Sequence, residues 1–200
     1  MEPLKARLAS KNPGKLRELR RALGWELEPL DADDYPPEHG ATYYENALGK
    51  AEFGRSLEPS TWVLGEDSGL EVERLDGAPG VKSARFAGMK HVDRLLEALE
   101  GIGDDGRRAR YVCELVALSP NGEEHRGSGT LAGRIRQEPR GSGGFGFDPI
   151  FVPEGEEQTV AELGDEWKAE HSHRARAAQA LRRALESRPD PRGAAGSATS

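Results

Sequence analysis

What most narrows the fold of this chain is a change in how its strand-like segments are connected. Residues 111–119 form an apolar run that meets Pro120-Asn121-Gly122, a turn that sends the chain straight back and makes a hairpin. Near the start, by contrast, strand-like residues 4–9 lead through Asn12-Pro13 into a helix that reaches about Leu23 and stops at Gly24. Asn12 supplies an N-cap there and Pro13 a first-turn proline. Crossover helices in one part and a hairpin in another predict an α/β fold, a mixed β-sheet with flanking helices.

A second helix is expected from Thr42. Thr42-x-x-Glu45 has the form of a capping box, Tyr44, Ala47, Leu48 and Ala51 share a face, and Pro59 closes the segment. Residues 62–64 read as a short strand entering Gly65-Glu66-Asp67-Ser68-Gly69, a tight polar turn, before residues 70–72 resume strand character, so acidic groups are expected at a strand end. Val92, Leu95, Leu96 and Leu99 make a helix stripe ended by Gly101. Residues 141–148 form a glycine-rich loop and 150–152 a brief strand. The last helix is expected from Ser172 to about Glu186, with Ala177, Ala180, Leu181 and Ala184 inward. Residues 189–200 lack periodicity and read as a disordered tail, leaving 1–188 as a single domain.

With 28 basic against 35 acidic residues the formal charge is −7, which disfavours nucleic acid and anionic membrane as partners. A phosphate ligand must therefore meet a local basic pocket. A lone cysteine, Cys113, cannot bridge internally, and the chain shows neither a secretory leader nor a long apolar run, so a reducing cytoplasm is the expected setting. Lying inside a strand, Cys113 reads as a small buried apolar group rather than a nucleophile.

Ser10-Lys11-Asn12-Pro13-Gly14-Lys15 spans a strand-to-helix junction whose free N–H groups favour an anion. Lysines at the positive end of a helix cost about 0.3–1 kcal/mol unless something negative joins them, so Lys11 and Lys15 point to a phosphate. The segment lacks the spacing of a P-loop. Ser172, a cap, is followed by His173 and Arg174, again basic groups at a helix start; a zinc pair from His171 and His173 has no third nitrogen or sulfur ligand. Glu45, Glu66 and Asp67 are candidate ligands for Mg²⁺, which takes a few carboxylate oxygens and shares its shell with water and phosphate. The plain alternatives are a capping role for Glu45 and a solvated acidic turn for the pair. Gly141, Gly143 and Gly146 satisfy G-x-G-x-x-G, but a strand follows where a dinucleotide fold needs a helix. The better use of residues 143–148 is a backbone that a flat ligand can approach, with Phe145 as stacking face and Asp148 as polar anchor.

These blocks, in order, resemble the inosine triphosphatase-like, or Ham1-type, pyrophosphatases of non-standard purine nucleoside triphosphates. The matching pieces are the 10–15 segment, Tyr44-Glu45-Asn46-Ala47, Glu66-Asp67-Ser68-Gly69-Leu70-Glu71-Val72, Gly77-Ala78-Pro79-Gly80-Val81 with Ser83-Ala84-Arg85, residues 143–151, Ala161-Glu162-Leu163, Lys168 and Ser172-His173-Arg174. The resemblance implies an elongated α/β fold with a mixed sheet, two lobes around a nucleotide-binding cleft, a homodimer, and hydrolysis of ITP, dITP, XTP or dXTP to monophosphate and pyrophosphate. By the same resemblance Ser10, Lys11, Asn12, Pro13, Gly14 and Lys15 would hold phosphates. Glu45 and Asp67 would bind Mg²⁺, with Mn²⁺ as a substitute and Glu66 as a further candidate ligand, and Asp67 would accept the proton of the attacking water. Ser68, Phe145, Gly146, Phe147, Asp148, Lys168, His173 and Arg174 would line the nucleotide site. Glu66 stands where many bacterial members have aspartate, Phe147 replaces a common tyrosine, and the stretch from Gly88 to Leu95 is shorter than usual. The competing readings are a Maf-like pyrophosphatase of modified pyrimidine nucleotides and a non-catalytic nucleotide-binding protein.

Overall fold

The computed structural model describes residues 3–86 and 90–187; the tail at 189–200 and the start of the 88–95 stretch lie outside the described residues. Local chemistry sets the first helices. In α1 (Pro13–Leu23) the Asn12 side-chain oxygen accepts from the N–H groups of Gly14 at 2.8 Å and Lys15 at 3.3 Å, and Gly24, at φ 67°, ends the helix. In α2 (Tyr43–Leu57) both halves of the capping box form: the Glu45 N–H donates to Thr42 Oγ1 and the Thr42 N–H to Glu45 Oε2, each at 3.1 Å.

Six strands, β1 (Lys5–Leu8), β2 (Glu26–Pro29), β3 (Trp62–Val72), β4 (Arg108–Leu118), β5 (Glu124–Ile135) and β6 (Phe151–Pro153), form one sheet in the order β2-β1-β3-β4-β5-β6. Pairings of β1 with β2 and β3 are parallel and the remainder antiparallel, so the sheet is mixed as expected. Because β1 has β2 on one side and β3 on the other, its carboxyl end is a topological switch point, where open α/β sheets present a crevice for ligands. Residues 10–15 leave β1 at that point.

Against expectation, Gly65-Glu66-Asp67-Ser68-Gly69 is not a turn. It is the middle of an eleven-residue strand, β3, so the acidic pair lies mid-strand. The glycines serve close approach instead: a Cβ on Gly65 would stand 1.9 Å from the Ala47 carbonyl oxygen, so α2 can rest on β3 only where that side chain is missing. The carboxylates tolerate burial because cations from other elements meet them, as described below.

Two further elements escape the sequence pattern, β2 and α4 (Val160–His171), whose period is interrupted by Gly164 at φ 82°. The remaining helices are α3 (His91–Ala98) and α5 (His173–Glu186). In α5 the deeply buried apolar positions are Ala175, Ala177, Ala178 and Leu181, while Ala180 and Ala184 are only partly covered. No helix among the described residues is long and apolar enough to cross a membrane.

One sheet face carries two apolar clusters. The first joins Leu8, Leu64, Cys113 and Leu115 to Leu19 and Leu23 of α1 and Leu181 of α5; the second joins Leu70, Val72 and Tyr111 to Leu95, Phe147, Ile150 and Phe151. Each fully buried leucine or phenylalanine contributes about 1.5–3 kcal/mol. Along β3, Glu66 and Ser68 fall between Leu64 and Leu70 on that same face, polar groups at the seam of two cores.

Candidate active site

Strand alternation divides the acidic pair. Glu66 and Asp67 are successive residues of β3 and face opposite sides of the sheet, so they do not form one two-carboxylate ligand set. Both lie on β3 just beyond the end of β1, which pairs with β3 only as far as Leu64.

On the α5 side, Glu66 is fully buried. Its carboxylate meets Lys15 Nζ at 2.6 Å and Arg174 Nε at 3.1 Å. Burial alone would raise its pKa, but Lys15, Arg174 and Lys50 outweigh burial and hold Glu66 well below the usual carboxylate range. Arg174 also donates through Nη2 to Ser68 Oγ at 2.7 Å and through Nη1 to Glu18 at 3.1 Å. Desolvation opposes its charge, yet Glu66 and Glu18 overcome this and its pKa is raised. Lys168 pairs with Asp148 at 2.7 Å and with Glu18; Asp148 in turn accepts from Tyr111 Oη at 3.2 Å and from the Phe145 N–H at 2.8 Å. Burial raises the Asp148 pKa in spite of Lys168, so that carboxylate depends on its donors to stay charged.

Lys15, Ser68, Tyr111, Asp148 and Arg174 of this network line a cavity of about 340 Å³ together with Phe145 and His173, a volume suited to a small ligand. The Arg174 guanidinium and Lys168 ammonium lie 5.1 and 4.8 Å from the centre of the Phe145 ring, leaving that ring electron-withdrawn on the side they occupy. His173 stacks on Tyr111 at 4.5 Å and 10°, is 3% exposed, and leaves Nδ1 without a hydrogen-bond partner among the described residues. Desolvation, reinforced by Arg174, pushes its pKa well down, so the imidazole is neutral. His171 is instead exposed beside Trp167 and Glu170, so no zinc pair forms.

Gly14 brings the α1 start against Phe145; a Cβ there would stand 2.7 Å from the ring. Ser10 Oγ accepts from the Asn12 N–H at 3.2 Å, tightening the turn into α1. Lys11 departs from the sequence expectation: its ammonium donates to the Asp33 carbonyl and sits over the Tyr35 ring, so Lys15 alone of the two lysines lines the cavity.

On the α2 side, Asp67 is 3% exposed, with Oδ2 accepting from Asn46 Nδ2 at 3.0 Å and Oδ1 from Lys50 Nζ at 2.9 Å. Desolvation raises its pKa against the pull of Lys50, which favours a proton acceptor. The same Lys50 ammonium lies 2.5 Å from Glu38 Oε1. Glu38 and Asp67 thus already converge on one cation. Glu45 does not join them: its Oε2 is occupied by the N–H groups of Ala41 and Thr42, and no hydrogen bond or ion pair links it to Asp67 among the described residues. Helix geometry explains this, because Glu45 precedes Asn46 and points to a neighbouring face of α2.

Sequence reading gave no role to Glu18, Glu38, Asn46, Lys50, Tyr111 or His91. Two signals were present: Lys50 follows Asn46 by four residues, hence on one helix face, and Glu18 follows Lys15 by three. Cys113, as expected, is buried, and desolvation raises its thiol pKa well above normal.

The Ham1 family model matches residues 6–184. The chain is 44% identical over 200 residues to a dITP/XTP pyrophosphatase of Thermus thermophilus, covering 94% of this chain and 95% of the relative. It is 41% identical over 186 residues to that of Bdellovibrio bacteriovorus, covering 87% and 94%. The solved structure of a HAM1 protein from Coxiella burnetii superposes with a TM-score of 0.81 at 34% identity, covering 92% of this chain and all of that one. A crevice at the β1 switch point, lined from the 10–15 segment, from β3 at Ser68 and from the α5 start at His173 and Arg174, thus sits in a fold shared over nearly the full length, and the chain belongs to the Ham1 family.

Proposed function

We propose that this chain hydrolyses ITP, dITP, XTP and dXTP at the α-phosphorus, releasing the nucleoside monophosphate and pyrophosphate. The observation that carries this is a buried carboxylate with raised proton affinity, Asp67, next along β3 to the Glu66 that anchors Lys15 and Arg174 in a cationic cavity. Relatives named dITP/XTP pyrophosphatase support it.

A divalent cation fits the donor set. Glu38 and Asp67 offer only hard oxygens, and Lys50 between them shows that both carboxylates can face one positive charge. Asp67 and Glu38 would hold it, and Mg²⁺, replaceable by Mn²⁺, is the ion we propose. Bound there, it would neutralise phosphate charge and polarise the phosphoryl oxygens. Asp67 accepts a proton from water aimed at the α-phosphorus, Lys15 and the α1 N-terminus hold phosphate oxygens, and Lys50, released from its carboxylates, is free to neutralise the leaving pyrophosphate. Glu38→Gln is expected to raise the Mg²⁺ concentration for half-maximal rate by at least about tenfold. Glu45→Gln, which preserves the capping box, should leave it unchanged; titrating rate against Mg²⁺ in both variants decides between the two glutamates.

For the base, three of the Arg174 donors are engaged by Glu66, Glu18 and Ser68, which fixes the guanidinium and leaves others for a ligand. Such a fixed donor, beside neutral His173, suits a 6-keto oxygen; a 6-amino group would strand buried donors. ITP should therefore be cleaved at least about 100-fold more efficiently than ATP. Equal kcat/KM for both, measured on one preparation by pyrophosphate release, would sink this reading. A homodimer working in the cytoplasm is the setting we propose.

A further inference from the structure

His91, the first residue of α3, is the one cavity-lining side chain that reaches the site from that helix. Its Nε2 lies 2.9 Å from the Gly146 carbonyl oxygen. A carbonyl only accepts, so Nε2 carries the hydrogen and donates it. Its ring meets Phe147 edge-on, centroids 5.0 Å apart at 89°, while Phe86 flanks the same phenylalanine at 6.4 Å.

Between Phe145 and Phe147 the chain carries no side chain of its own to pack. Gly146 is left-handed at φ 64°, and among the described residues nothing lies within 4 Å of where its Cβ would stand. Phe145 and Phe147, on either side of it, both line the cavity, so the direction of the Gly146 carbonyl sets how the two rings are disposed toward a flat ligand. On the far side, Asp148 ties down the Phe145 N–H at 2.8 Å.

We propose that His91 is a positioning residue for base recognition: by holding the Gly146 carbonyl and the edge of Phe147 it fixes the aromatic wall of the cavity, and so governs affinity for the purine rather than the phosphoryl chemistry. This rests on the nucleotide pyrophosphatase reading and extends it to α3, which touches neither the phosphate segment nor Asp67 in any contact described above. His91→Gln keeps an amide donor near the Nε2 position but removes the ring; His91→Phe keeps a ring against Phe147 but removes the donor; His91→Ala removes both.

The experiment measures KM and kcat for ITP in each variant, with inhibition by IMP and by inorganic pyrophosphate, which has no base, and thermal melting to exclude unfolded material. For His91→Ala, KM for ITP and the inhibition constant of IMP should rise about tenfold, kcat should stay within about twofold, and pyrophosphate inhibition should not move. His91→Gln and His91→Phe should each recover part of the IMP affinity. Equal weakening of IMP and pyrophosphate, no change in either, or a kcat loss at constant KM would overturn the assignment. Absence of ITP turnover in the unsubstituted chain would instead overturn the activity on which it rests, so the two failures are distinguishable.

Discussion

Asp67→Asn is expected to leave the fold intact and reduce kcat for ITP by about 10²- to 10⁴-fold, the range for losing a positioned general base. The two side chains have the same shape, and Lys50 can still donate to an amide oxygen at the Oδ1 position. What disappears is the proton acceptor. The amide NH₂ would also face the Asn46 NH₂, a small structural penalty of about 1 kcal/mol that a melting curve will register without unfolding the chain. Because burial raises the Asp67 pKa, NMR titration of the metal-free chain should place this carboxyl above the ordinary aspartate value of about 3.9, and Asp67→Asn should remove that titration. Stopped-time assays with purified variant decide the matter; turnover at the unsubstituted rate would remove Asp67 from the mechanism.

Glu66→Gln should have the largest effect on stability. Its carboxylate has no exposure and balances Lys15 and Arg174 in the seam between two apolar clusters, so its removal leaves buried positive charge at a cost of about 3–5 kcal/mol. For a chain of this size that corresponds to a fall in Tm on the order of 10 °C. The sign of the pH dependence follows from the depressed pKa. The stabilising contribution of Glu66 is complete above the unfolded-state glutamate value of about 4.3 and is lost as the pH falls below it toward the lower folded-state value. Acid titration of stability should accordingly be flatter below about pH 4 in Glu66→Gln than in the unsubstituted chain. Identical Tm and identical acid profiles would show that the ion network around Glu66 carries no net stability.

Residues whose structure is set by their immediate neighbours were legible in the sequence. Asn12-Pro13 and Thr42-x-x-Glu45 encode their helix starts within four residues, and Pro120-Asn121-Gly122 encodes its hairpin. Glu66 and Asp67 were not legible in the same way. Glycines on both sides of an acidic pair usually mean a turn, and only the arrival of Lys15, Lys50 and Arg174, from helices far apart in sequence, makes a buried strand possible there. The same non-locality hid Glu38, which sits in a polar connection and becomes part of the site through Lys50 alone. Gly164 concealed α4 by breaking its apolar period, and with α4 the burial of Lys168. Glu45 illustrates the opposite case: its local signal, the capping box, describes its side chain correctly, while the carboxylate that shares the Lys50 ammonium with Asp67 is that of Glu38.

The central claim is that water activated beside Asp67 attacks the α-phosphorus. Hydrolysing ITP with Mg²⁺ in ¹⁸O-labelled water, then locating the label by mass spectrometry or ³¹P NMR, tests it directly. Label in IMP, with unlabelled pyrophosphate, is the predicted result; label in pyrophosphate, or formation of IDP and labelled orthophosphate, would contradict it.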